Sequence, residues 1–332
     1  QLLYEIKAPA YYNPDVIAHF DTMKIEQVGD DRVYVSGCRG SSPPATHKVC
    51  VNTLGAYKQS MEVLLTGLDI EKKADIYVDQ IFHNLGGKEQ FTDVDIHLIR
   101  SDKEDPATNE EAHAALRITV TSDDPSKLGR LFQAKVTELG LAAIPGNTGR
   151  GAAGYNGTPV IAYWPTLIDS QKVTERVHMN GDLIEVLPTQ RLGLEDIYYQ
   201  EVPVKISPAA GGDTIPIPFG RLFGTRSGDK GGAANCGVWA RTDEAFSFLY
   251  EFLTVEKFKE LAPDMASYKI ERFELANLRA LNFYIHDVLG EGVSSNHRID
   301  KQAKSLCEYL RAKTIEAPKL LVDQIARTDI NE

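Results

Sequence analysis

Seven apolar residues (Ile70, Ala74, Tyr77, Val78, Ile81, Phe82 and Leu85) recur at helical spacing and stop at Gly86-Gly87. That pattern predicts an amphipathic helix over 69–85, with one face committed to a core. The helix sits in a rhythm that few folds satisfy. Before it, Met61, Val63 and Leu65 alternate in a run over 57–65; after it, Val94, Ile96 and Leu98 alternate, then Leu116, Ile118 and Val120. A second helix, capped by Asp124 or Ser122, carries Leu128, Leu131, Phe132, Val136 and Leu139 on one stripe, and 159–164 supplies a last strand. The order β-α-β-β-α-β is the split βαβ pattern of a ferredoxin-like sandwich. Asp93, Asp95 and His97 share one face of their strand. Residues of those types can ligate metal, but opposite Val94, Ile96 and Leu98 they read as a solvated face, and no metal site is expected.

A length of 332 residues predicts two domains. Strand-like runs at 24–28 and 32–36, around Asp30-Asp31, and a further run at 48–52 predict a small N-terminal β extension. The first domain is expected over 1–206, with its sandwich near 55–165. Chain breakers in Ser207-Pro208-Ala209-Ala210-Gly211-Gly212 mark a linker over 207–216. Beyond it, over 217–325, come a strand at 217–225, a glycine turn and a strand at 236–240. A helical pair follows, capped by Thr242 and Thr254 and ended by Pro263. Strands near 268–275 and 281–286 precede a final helix from Asp300 that carries Ala303, Leu306, Cys307 and Leu310. The predicted class is α+β, with two ferredoxin-like sandwich domains and the small β extension.

Charge narrows the function. A net charge of −11 argues against nucleic-acid binding, which needs a concentrated basic surface. The nearest basic cluster, Lys301, Lys304, Arg311 and Lys313, is interrupted by Glu308 and reads as a solvated helix face. No apolar run is long enough to span a bilayer. Four scattered cysteines (Cys38, Cys50, Cys236 and Cys307) predict reduced thiols in a cytoplasmic protein. Gly149-x-Gly151-x-x-Gly154 lacks the strand–turn–helix setting of a dinucleotide fingerprint; its Arg150 is expected on a glycine-rich lid. Serine-triad, zincin and P-loop signatures are absent from the sequence.

The densest chemistry lies in Arg226-Ser227-Gly228-Asp229-Lys230-Gly231-Gly232, followed by Asn235. Glycines that expose peptide N–H groups, flanked by two cations, suit an anion or a polarised carbonyl. Arg226, Ser227 and Asn235 are expected to bind substrate, with Asp229 and Lys230 as catalytic acid–base groups. The bland alternative is a tight loop whose charges satisfy its own backbone. Ser294, Ser295 and Arg298, in a loop before the final helix, form a second candidate anion site. There the alternative is a polar connection capped by Asp300. Asn277 and Arg279, with Asn282, could complete the first site or satisfy a strand crossover.

The second unit resembles the C-terminal domain of the acyclic terpene utilisation protein AtuA family. The likeness runs through Gly220-Arg221-Leu222, the glycine turn, Gly237-Val238-Trp239-Ala240-Arg241, Phe252-Leu253-Thr254, the segment from Asn277 to Phe283, Gly290-x-Gly292-Val293-Ser294-Ser295 and Arg298-x-Asp300. Leu2-Leu3-Tyr4-Glu5-Ile6, Tyr12-x-x-Pro14-Asp15-Val16, 33–40 and Tyr163-Trp164-Pro165 are similar to the later half of the family's main domain. Family members carry a further portion before the position of Gln1, so a site shared with that portion would be incomplete here. The resemblance implies a role in degrading acyclic terpenes through branched acyl-CoA esters; it carries no mechanism.

Several readings follow. The first is an enzyme of branched or terpenoid carboxylic acid catabolism, with lyase or hydratase chemistry on a carboxylate or acyl-CoA. The second is a non-catalytic subunit or scaffold of a larger acyl-CoA-metabolising complex, and the third is a ligand sensor. No cofactor is identified, and acyl-CoA enters only as a substrate. The expected partners are that small molecule and either further copies of the chain or the missing N-terminal portion, with no nucleic acid and no membrane.

Overall fold

The computed structural model of the chain describes residues 2–142, 144–149, 157–186, 206 and 211–328. Residues 207–210 of the expected linker lie outside them, as do Arg150, Gly151 and Gly154 of the expected lid; the linker's last residues, from Thr214, instead begin a strand, Thr214–Pro218, paired with Thr314–Pro318. Among the described residues no helix is long and apolar enough to cross a membrane.

Two compact units emerge, and they do not follow the sequence division. One comprises Asn52–Ala162; the other joins Gln1–Val51 to Tyr163–Glu332. The first is the expected ferredoxin-like sandwich. Its strands Thr46–Thr66, Asp93–Ile99, His113–Ser122 and Thr158–Asp169 stand in the spatial order fourth, first, third, second. The helices Ile70–Asn84 and Arg130–Thr137 supply its apolar layer. All six residues of the predicted stripe from Ile70 to Phe82 are buried, and Gly86 and Gly87 close the helix with φ values of 84° and 107°. The second stripe needs correcting at Leu131, which is 48% exposed. The helix begins only at Arg130, so Phe132 and Val136 set its inward face and Leu131 turns away. The runs at 48–52 and 57–65, expected as separate strands, are one strand of 21 residues.

In the other unit, a four-stranded antiparallel sheet is built from Phe223–Lys230, Ala233–Ala240, Ile270–Leu275 and Ala280–Ile285. Their spatial order is first, second, fourth, third. This is again the ferredoxin-like sheet, except that the edge strand that closes the other sandwich in sequence opens this one. Thr242 and Thr254 cap the helices Asp243–Phe252 and Val255–Leu261 as predicted, their hydroxyls accepting from Ala245 and Lys257 N–H at 3.2 and 3.1 Å. These helices cover one sheet face, where Phe258 stacks on Phe283 at 4.8 Å between centroids. The helix predicted from Asp300 spans Leu306–Arg311, six residues later than predicted, and a further helix follows at Lys319–Thr328. Asp300 instead accepts from the N–H groups of Lys304 and Ser305 at 2.7 and 2.9 Å.

On that covered face Cys236 and Cys307, expected as reduced thiols, form a disulfide with Cα atoms 6.0 Å apart. Sequence spacing could not reveal this, because the pairing joins a strand to a helix across a separation of 71 residues. Cys38 and Cys50 are free and exposed.

Candidate functional site

The glycine turn is smaller than its sequence suggests. Arg226 to Lys230 lie inside a strand paired in register with the next, Gly228 opposite Asn235 and Lys230 opposite Ala233. Only Gly231 and Gly232 turn, with Gly231 at φ 67°. A strand sends successive side chains to opposite faces. Thr225 and Ser227 therefore point to the helix side, where the Ser227 hydroxyl accepts from Cys307 N–H at 3.0 Å. Arg226 and Lys230 point to the other side, with Asn235 and Asn282 of the neighbouring strands.

That second face holds the start of the chain. Leu2–Glu5 form one helical turn. A helix leaves its last carbonyls without partners, and they carry partial negative charge. Those of Leu3 and Tyr4 find donors here, as do the next two beyond the turn. The Asn235 amide donates to Leu3 O and, at 3.1 Å, to the Asn282 side-chain oxygen. Lys230 Nζ donates to Tyr4 O at 2.9 Å, and the Asn282 amide donates to Ile6 O and Lys7 O at 3.0 and 2.8 Å. Glycine makes the approach possible. A Cβ on Gly237 would fall 2.5 Å from Leu3 Cβ, and one on Gly228 would fall 2.8 Å from the Tyr4 ring. Leu3 and Ile6 are buried against Leu275 and Ala280, and full burial of such a side chain contributes about 1.5–3 kcal/mol.

Three cations gather around Tyr4. Arg226, Lys230 and Lys304 lie 5.0, 5.5 and 4.0 Å from its ring centroid. Lys230 also faces Glu5 at 3.6 Å, and Asp229 faces Lys304 at 3.9 Å. Burial holds the Lys230 amine below the usual lysine range, outweighing Glu5 and Asp229, which act the other way. The anion expected between Arg226, Lys230 and Asn235 is thus supplied by the chain's own helix end. Asn235, expected to stabilise an oxyanion, is fully buried and committed.

The other predicted residues go elsewhere. Asn277 donates to Phe20 O and Met23 O at 2.9 and 2.8 Å, and Arg279 pairs with Asp243, so neither completes the site with Asn235. Ser295 donates to Gly292 O at 3.1 Å, with half-buried Ser294 beside it, and Arg298 pairs with Asp264 at 3.0 Å. The Asp300 carboxylate already occupies the turn before the helix Leu306–Arg311, where an anion was expected.

What the structure does bring together is the two glycine loops and Tyr163. Leu289 N–H donates to Gly232 O at 2.8 Å, and Tyr163 N–H donates to Glu291 O at 3.1 Å. A side chain at Gly231 would run into the Tyr163 ring. The Tyr163 hydroxyl lies 3.4 Å from Cys50 Sγ, and Lys48 Nζ stands 5.7 Å from the Tyr163 ring centroid; the neighbouring phenol holds the Lys48 amine above the usual lysine range. Lys48 lines a cleft of about 520 Å³ with His47, Tyr12, Pro14, Pro165 and Leu167. Tyr284 shares the neighbourhood: burial pushes its phenol up, Lys7 lies 4.6 Å from its ring centroid, and His286 packs edge-on at 4.8 Å. Sequence reasoning missed Lys48 and Tyr163 because each is a lone polar residue in a strand, and they meet only across the fold.

The fold and site define an α+β protein of two ferredoxin-like units, with the Lys48 ammonium lining a mainly apolar cleft and the Tyr163 ring near it. The family description "Acyclic terpene utilisation family protein AtuA" matches residues 1–179, and the "AtuA ferredoxin-like domain" matches residues 217–316. The chain belongs to the AtuA family. No curated protein matches it.

Proposed function

We propose that the chain is an enzyme of branched or terpenoid carboxylic acid breakdown, acting on the acid or its acyl-CoA ester by lyase or hydratase chemistry at the Lys48 cleft, beside Tyr163. The single observation that carries this reading is the Lys48 ammonium lining an apolar cleft with the Tyr163 ring 5.7 Å from it. The cleft volume suits a small branched chain, with apolar walls at Tyr12, Pro14 and Leu167. Lys48 stays charged at neutral pH and stabilises negative charge developing on the acyl oxygen. Tyr163 moves the proton at the adjacent carbon, as general acid or base. Asp229 and Lys230 then act from a distance, by fixing Tyr4 and the first turn. The proposed setting is the cytoplasm; since that compartment keeps thiols reduced, the redox state of Cys236 and Cys307 in native protein tests it.

The experiment is turnover of a branched enoyl thioester by native, full-length protein, compared with Tyr163→Phe and Lys48→Met. Each variant should lose roughly a hundredfold or more in kcat with an unchanged circular dichroism spectrum. Undiminished turnover in both would sink the reading.

One observation favours a second reading, a subunit of a larger acyl-CoA-metabolising complex. In the hairpin Lys24–Gly29/Arg32–Ser36, Ile25 pairs with Val35 beside Val33, and all three are at least half exposed. Light scattering of native protein before and after Val33→Lys and Val35→Lys would decide it: a fall in mass supports assembly, and an unchanged mass removes it.

A further inference from the structure

We propose that a second cleft, between the helical turn Phe219–Leu222 and the helix Leu306–Arg311, binds a ligand through a phosphate group. The inference is independent of the Lys48 cleft. The cavity is about 420 Å³ and is lined by Arg221, Arg241, Arg311, Glu308 and Gly220.

Charge is the first observation. In a protein of net charge −11, three guanidinium groups share one cleft with a single carboxylate. An excess of two positive charges at close quarters is costly when nothing answers it, and it matches a phosphate dianion. Arg221 and Arg241 are exposed and have no hydrogen bond or ion pair among the described residues. The nearest carboxylate in sequence to Arg241 is Asp243, and it is held by Arg279.

Pre-organisation is the second. Arg311 Nη2 donates to Gly220 O at 3.3 Å and Nη1 to Glu308 at 3.1 Å, while its buried Nε has no partner. A Cβ on Gly220 would fall 2.5 Å from that Nε and 2.7 Å from Arg311 Cβ. Glycine at this position is therefore what lets the arginine lie across the backbone. The Glu308 contact is an exposed pair three residues apart, too weak to neutralise the cleft. Arginine's planar fork recognises phosphate oxygens in pairs, and two such forks remain unengaged.

The test is calorimetric titration of the full chain with inorganic pyrophosphate and with adenosine 3′,5′-bisphosphate. One saturable, salt-sensitive event is expected, weakened by roughly tenfold or more in the double variant Arg221→Gln/Arg241→Gln. Neither residue holds the fold, so its circular dichroism should be unchanged. Gly220→Ala, which displaces Arg311, should weaken binding in the same direction. Tighter binding of the nucleotide would identify a nucleotide phosphate as the natural group, and equal affinities a free phosphate; either supports the site. Absence of saturable binding to both probes, or equal affinity in the double variant, overturns it.

Discussion

The side-chain amide of Asn235 donates to the backbone carbonyl of Leu3, 232 residues away in sequence, and to the side-chain oxygen of Asn282. Asn282 passes the connection on to Ile6 and Lys7. Two buried amides on neighbouring strands thus hold one helix carbonyl, Leu3 O, and the two carbonyls just beyond the turn.

Asn235→Ala should cost about 2–3 kcal/mol, because it leaves Leu3 O without its Asn235 donor and Asn282 short of a partner in a buried setting. Gly237→Ala should act more locally, since its methyl group would meet Leu3. Urea unfolding measures the first effect. Faster proteolysis near the N-terminus measures the second, and unchanged cleavage in Gly237→Ala would show that the close approach is dispensable.

Lys230 ties this contact to pH. Its folded-state value lies below the ordinary 10.5 because burial disfavours the charged amine. Between the lowered value and 10.5 the unfolded chain binds more protons than the folded one, so stability rises with pH across that window. The cost is present in full below it. Replacing Lys230 with Met should flatten this part of the stability–pH curve while losing the hydrogen bond to Tyr4. A slope identical in both proteins would mean that the amine is solvated.

Glu271 works in the acid range. The His286 hydrogen bond, and then Lys7 and Lys269, hold its carboxyl below the ordinary 4.5. Its contribution is present above the unfolded value and is lost as pH falls through the folded one. Glu271→Gln should therefore be less stable than wild type near neutrality, with the gap closing in acid. Thermal melts at descending pH read this directly; a gap that widens in acid has the wrong sign.

The Cys236–Cys307 link closes a long loop, 71 residues by sequence separation. Chain-entropy arguments put the stabilisation from such a loop at about 4 kcal/mol, and native links commonly contribute 2–4. Cys307→Ala, or wild type in reductant, should show a lower urea midpoint by a matching amount. Equal midpoints with and without reductant would show that the sulfurs contribute by packing alone.

Several elements were legible in the residues alone. The stripe from Ile70 to Phe82, the Gly86-Gly87 stop and the Thr242 and Thr254 caps depend on neighbours within a few positions, where periodicity and capping chemistry act. The β-α-β-β-α-β order followed from them. Leu131 and the merged strand Thr46–Thr66 depart from the expected pattern because local pattern leaves helix phase and strand ends loosely specified.

The candidate site was legible to a smaller extent. Arg226, Lys230 and Asn235, beside glycines, mark a place suited to negative charge by composition alone. Which negative charge they meet depended on a segment more than two hundred residues away. The same holds for Lys48 with Tyr163 and for Cys236 with Cys307. Sequence by itself determined the local elements, their order and the kind of partner each polar group required. Only the tertiary structure decided which partner arrived, because antiparallel pairing and burial bring together groups that no spacing along the chain relates.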